Sequence, residues 1–189
     1  MGSMGFPVTR TNRSLVAPSS ATPRETLRLS VIDRVEGLRH LVRSLHVFDA
    51  GGGAAMAGDN KTPARTMREA LGKALVDYYP FAGRFVVEAA DGGGEVRVAC
   101  TAEGAWFVEA SAACSLAEVK HLDHPMLIPK EDLLPEPNPD VPPLDMPLMM
   151  QVCYGSTTSS HAAAAVTPNS FYYQYCYYYC CYSAIFLHA

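Results

Sequence analysis

Three groups of residues have the types that chemistry requires. His161 follows Ser159 and Ser160, and an imidazole with its ordinary pKa of about 6.5 can take a proton near neutral pH. A working base also needs a partner to orient it. The fourth residue beyond His161 is Ala165, within the run Ala162–Ala165. His161 is therefore not expected to act as a base, and no catalytic residue is assigned. Cys176, Cys180, Cys181 and His188 are metal-ligand types, but their spacing departs from the paired Cys and His arrangements of zinc modules, and no metal site is expected. Ser30 and Asp33 make a Ser-x-x-Asp pair, which on its own reads as a local turn or cap. His46 has no second ligand spaced nearby and reads as an exposed strand residue.

Positioning these groups falls to a chain whose first 152 residues pattern as an ordinary α/β domain. Pro7, Pro18 and Pro23 keep residues 1–30 extended. Leu45 and Val47 alternate with Ser44 and His46, a half-buried strand. The small-residue loop at 50–60 lacks the Gly-Lys-Ser/Thr ending of a phosphate cradle. A helix then starts at Thr62 as cap and Pro63 as first residue. Its apolar face carries Met67, Leu71, Ala74, Leu75 and Tyr78, with Glu69 four before Lys73. Pro80 ends it. Residues 84–88 and 95–100 read as strands joined across Asp91–Gly94, and a third strand at 106–110 is expected to extend their sheet. Ser115 and Glu118 have the spacing of a capping box, with Cys114 and Val119 as its staple, so a short helix is expected there. A Pro-rich loop spans 121–145 and leads into a strand at 148–152. A loop of that length in a compact domain usually has a function or wraps a larger body.

Composition changes abruptly after Asp145, since residues 146–189 contain no Asp, Glu, Lys or Arg. Residues 153–189 read as a separate, uncharged tail rich in Tyr and Cys, not expected to fold as a domain, with an altered 3′ coding segment as the expected origin. The many Tyr, Gln174 and the missing basic flanks argue against a membrane-spanning helix. The aromatic run is instead an aggregation liability. A formal charge of -4 and no Lys/Arg cluster give no footprint for nucleic acid or an anionic membrane. Cys100 and Cys114 have no disulfide-framework spacing and read as buried thiols in a reducing compartment. With no apolar signal segment at residues 1–14, a cytoplasmic location is expected.

Several blocks, in order, resemble the plant BAHD acyltransferases. They are Val16-Ala17-Pro18, Thr22-Pro23, Leu29 to Asp33, Leu71 to Arg84 with its Tyr-Tyr-Pro-x-Ala-Gly-Arg turn, Cys100, Glu103-Gly104, Trp106 to Ala110, the proline-rich loop, and Met150-Gln151-Val152. The resemblance covers about residues 8–152 and is nearest in wording to grass members that use hydroxycinnamoyl-CoA. It implies a chloramphenicol-acetyltransferase-like α/β fold, here an incomplete domain: a mixed β-sheet with flanking helices. The implied activity is acyl transfer from acyl-CoA, as co-substrate, to a small-molecule alcohol or amine, with no bound cofactor. It also places Ser30 and Asp33 near the substrate channel.

The family's general base is the histidine of a His-x-x-x-Asp motif, and a second motif, Asp-Phe-Gly-Trp-Gly, supports the coenzyme site. Neither occurs in this sequence, and the register of the histidine falls on Pro168. The chain is therefore expected to be a catalytically incomplete part of an acyltransferase. The alternative is a non-catalytic truncated protein that binds a ligand or a full-length relative.

Overall fold

The computed structural model describes residues 6–31, 33–35, 41–48, 62–90, 93–155 and 162–168. Two sheets are formed. The larger has the order β1-β6-β7-β8-β3, from β1 (Val8–Val16), β6 (Ala105–Ala112), β7 (Leu148–Gly155), β8 (Ala162–Pro168) and β3 (Ser44–Phe48). The smaller has the order β2-β5-β4, from β2 (Thr26–Arg28), β5 (Gly93–Ala99) and β4 (Arg84–Ala90). Among the described residues, only β6 and β7 pair in parallel; every other ladder is antiparallel.

The helix α1 (Pro63–Asp77) starts where its cap predicts, with Arg65 N–H donating to Thr62 Oγ1 at 3.3 Å. Its apolar face packs Leu71 and Leu75 against Val16, Phe107 and Val152 of the large sheet. Glu69 pairs back with Arg65 at 3.1 Å, whereas the sequence spacing had pointed forward to Lys73. Both are one helical turn away, so spacing alone does not choose.

The parallel pair is covered on both faces, the usual condition for parallel strands. Along β6, Phe107 faces α1, whereas Trp106 and Val108 pack with Met146 and Met149 beneath residues 113–147. Along β7, Val152 joins the α1 side and Cys153 the opposite cluster, with Ile128 and Leu133. Burial on both sides explains the near-continuous apolar run Ala105–Val108.

The chain from 113 to 147 crosses this second face as a strap. It contains a short α2 (Lys130–Leu133) and 3-10 turns at Lys120–Leu122 and Pro143–Asp145. Four hydrogen bonds to its carbonyls tie it down. Trp106 Nε1 donates to Glu136 O at 2.7 Å, Arg10 Nη2 donates to Glu131 O and Leu134 O at 3.0 and 3.3 Å, and Gln151 Nε2 donates to Asp132 O at 2.8 Å.

Two expectations need correction. The strand at 106–110 does not extend the sheet of its two predecessors but pairs with β1 and β7 in the other sheet. The switch occurs at Cys100–Gly104, where Ala102 and Gly104 take positive φ of 54° and 111°. The Ser115–Glu118 box forms, with Ser115 N–H and Oγ both 2.7–2.8 Å from Glu118 Oε2, yet no α-helix propagates. Lys120, His121 and Leu122 instead have φ of 52°, 55° and 63°. Cys114 and Val119 are buried in one cluster as the staple requires, so burying that side of the turn wins over helix continuation.

Gly83 has a φ of -94°, open to any residue; a Cβ there would lie 2.3 Å from Ala99 O. Close approach of two backbones, not a special backbone angle, requires this glycine.

Beyond residue 152, β7 runs on to Gly155, and β8 inserts between β7 and β3. The large sheet therefore crosses the boundary drawn at residue 152.

Candidate functional site

Ser30 and Asp33 follow β2 and are folded onto each other. Ser30 Oγ lies 2.7 Å from Asp33 Oδ2, Asp33 N–H donates to Ser30 Oγ at 3.2 Å, and Arg34 N–H donates to Ser30 O at 3.1 Å. This is the local turn allowed by the Ser-x-x-Asp spacing. It is exposed and borders Val31, 75 % exposed, and Val35, 50 % exposed. Arg34 reaches from the turn to Glu95 at 3.6 Å. There Arg28 and Arg97, bound to the same carboxylate, hold it below the usual carboxylate range.

The turn after α1 is held from two sides. Tyr79 Oη donates to Glu25 Oε1 at 2.6 Å, and this hydrogen bond to a carboxylate, followed by burial, pushes the phenol up to about 12. Arg84, buried at the start of β4, donates from Nη1 to Gly83 O and Gly104 O at 2.6 and 2.9 Å. Its Nη2 sits 3.2 Å from Glu103, a charge contact rather than a directed hydrogen bond. Burial lowers its pKa from the ordinary value, and Glu103 partly offsets that effect. Arg84 thus pins the Gly83 turn to the sheet-switching segment at Gly104 through Nη1, while its buried Nε and Nη2 make no directed hydrogen bond.

The two ends of the parallel pair are chemically distinct. At one end, β8 finishes with Pro168 directly opposite Leu148, the first residue of β7. This is where the resemblance registers a histidine, and the chain has proline. At the other end, the strap and the C-terminal residues of β6 and β7 border a partly open cavity of about 40 Å³, lined among others by Cys114 and Cys153. Both thiols are free and buried. Burial raises the pKa of each, Cys153 to about 11. Cys100 is likewise raised to about 11, by burial and then Glu25, but lies in the small-sheet cluster. His161 and Cys176, Cys180, Cys181 and His188 lie outside the described residues. Among those described, no group of three or more His, Cys, Asp or Glu could hold a metal ion.

The sequence reading singled out neither the Cys114–Cys153 pairing nor Gln151. Cys153 had been assigned to the tail, and the one available signal was its alternation with Gln151 and Met149 along one face of β7.

Comparison with known proteins fits this architecture. The Transferase family profile matches residues 6–154. The chain belongs to the Transferase family. Among its curated relatives, the rice (Oryza sativa subsp. japonica) Acyl transferase 4 is 65 % identical over 153 residues, covering 79 % of this chain and 34 % of the relative. A myricetin 3-O-glucosyl 1,2-rhamnoside 6'-O-caffeoyltransferase of Crocosmia x crocosmiiflora is 44 % identical over 152 residues, covering 79 % of this chain and 33 % of its own. The crystal structure of vinorine synthase superposes with a TM-score of 0.59 at 21 % identity, over 86 % of this chain and 38 % of the other. This likeness shows the chloramphenicol-acetyltransferase-like α/β fold. The chain spans about a third of the length of the curated relatives it matches. Among the described residues, no helix is long and apolar enough to cross a membrane.

Proposed function

We propose that the chain supplies part of an acyl-CoA-dependent acyltransferase that moves an acyl group, hydroxycinnamoyl among the candidates, to a small-molecule alcohol or amine. The family match over residues 6–154 carries this reading. The rice and Crocosmia relatives, one of them a caffeoyltransferase by name, support the acyl class. In this reading the exposed Ser30–Asp33 turn borders the acceptor side, and acyl-CoA is a co-substrate that leaves with each turnover.

The 189 residues alone are proposed to be catalytically incomplete. Attack on a thioester needs a base to take the nucleophile's proton, and position 168, at the end of β8, is proline. Proline has no group to accept that proton. The missing His-x-x-x-Asp motif equally favours the second reading, a non-catalytic protein that binds a ligand or a full-length relative. A cytoplasmic location and a role in plant specialised metabolism belong to the same proposal.

The test is incubation of purified chain with p-coumaroyl-, feruloyl- and acetyl-CoA and a mixed acceptor panel, followed by mass spectrometry of the products. No acyl product above the protein-free control is expected. Turnover lost in His161→Ala would overturn the incomplete-site reading. Specific retention of acyl-CoA without turnover would favour the binding reading.

A further inference from the structure

The cavity beside Cys114 and Cys153 lies at the opposite end of the parallel pair from position 168, and nothing in the acyl-transfer reading uses it. Its position follows from strand alternation. Cys153 and Gly155 point to one side of β7, the strap side, as the packing of Cys153 with Ile128 and Leu133 shows. The backbone of Cys114 closes over that same side. A Cβ on Gly155 would come within 2.7 Å of Cys114 O, so the missing side chain at 155 lets the bend after β6 settle two residues from Cys153. Both thiols then face one space, which exceeds the roughly 10–15 Å³ needed to admit a water.

The walls narrow what this space would hold. Leu116, Val119, Ile128 and Leu133 are apolar; Ser115, already bonded to Glu118, and Tyr154 add only hydroxyls, too few oxygens for a hard cation that takes six or more. With no third His, Cys, Asp or Glu grouped there among the described residues, four-coordinate zinc has too few ligands. Two sulfur donors in an apolar space suit a soft ion, and thiolates select monovalent copper among biological metals. We infer that Cys114 and Cys153 form a two-thiolate site for a soft monovalent d10 cation, Cu(I) being the biological case.

Binding is a proton exchange, in which one Cu(I) and two thiols give a bis-thiolate complex of net charge -1 and two released protons. Arg10 faces Cys153 on the same side of the sheet, where its charge favours the thiolate, and it balances that negative charge. The raised thiol pKa values make simple oxidation by peroxide a slow competitor, because the thiolate is the reactive form. Metal binding is pH-dependent by its stoichiometry, since two protons must leave. This site is independent of acyl transfer.

The test uses the full chain with Cys176, Cys180 and Cys181 changed to Ser, titrated anaerobically with Cu(I) against the chromogenic chelator bicinchoninate. One equivalent is expected to be withheld from the chelator, with affinity rising up to about 100-fold per pH unit below the thiol pKa values. Cys114→Ala, at a bend outside both strands, is expected to weaken retention at least about 100-fold, whereas Cys100→Ser leaves it unchanged. Pulsed alkylation gives a readout that needs no variant at either proposed ligand. Cu(I) should protect Cys114 and Cys153 together, as located by peptide mass spectrometry. Complete loss of copper to the chelator, unchanged retention in Cys114→Ala, or protection that omits either thiol would each overturn the assignment.

Discussion

Gln151→Leu should loosen the strap from the sheet and cost about 2–4 kcal/mol of stability. Gln151 is fully buried. Its amide accepts from Arg10 Nε at 3.1 Å and donates to Asp132 O at 2.8 Å. Leucine is of similar size, so the packing term stays small and the polar terms decide. Losing a hydrogen bond to a charged donor costs roughly 1.5–3 kcal/mol, and leaving the part-buried Asp132 carbonyl unpaired adds about 1 kcal/mol. Arg10 keeps its two Nη2 contacts to Glu131 O and Leu134 O, which holds the total toward the lower part of that sum. Urea unfolding followed by fluorescence of Trp106, the sole tryptophan, reads the strap directly, because its indole donates to Glu136 O. With a slope of roughly 1–3 kcal/mol per molar urea, the midpoint should fall by about 1–2 M. Arg10→Ala combined with Gln151→Leu should show a coupling of about 1–2 kcal/mol, as expected for residues in direct contact. A loss below about 0.5 kcal/mol, or additive single changes, would refute the view that this buried network holds the strap.

Gly104→Ala should destabilise by more than about 3 kcal/mol, since φ of 111° disfavours a side chain and its Cβ would stand 2.5 Å from Val16 O. Thermal unfolding within about 1 °C of wild type would contradict this. Tyr79, with a folded-state pKa of about 12 against 10 unfolded, binds its proton more tightly in the native state. Its contribution is therefore fully present below pH 10 and is lost as pH rises through 12. Glu25→Gln should move the Tyr79 phenolate transition, isolated by subtracting Tyr79→Phe at 295 nm, toward 10; an unmoved transition would rule out Glu25 as the cause.

Much of the architecture was legible before any coordinates. Thr62-Pro63 marked the start of α1, and the Leu71–Leu75 stripe marked its buried face, because caps and periodicity act within a few residues. The strand read at 95–100 is likewise present as β5. The Ser30–Asp33 pair is the local turn its spacing allowed. Sheet membership was not legible: the strand at Ala105–Ala112 resembles its predecessors, and its departure to the other sheet depends on positive-φ residues at 102 and 104. The capping box at Ser115 predicted a helix that burial of Cys114 and Val119 replaced with a left-handed turn.

The amino-acid sequence by itself determined the family, the principal helix, the strand patterns and the absence of a His-x-x-x-Asp motif, since each is carried by residue identity over short spans. Only tertiary structure decided that β8, beyond residue 152, pairs with β7 and β3. It alone brought Arg10 to Gln151 and seated Cys114 over Gly155 beside Cys153. Those arrangements join residues far apart along the chain, and the choice among them is made by which surfaces are buried together.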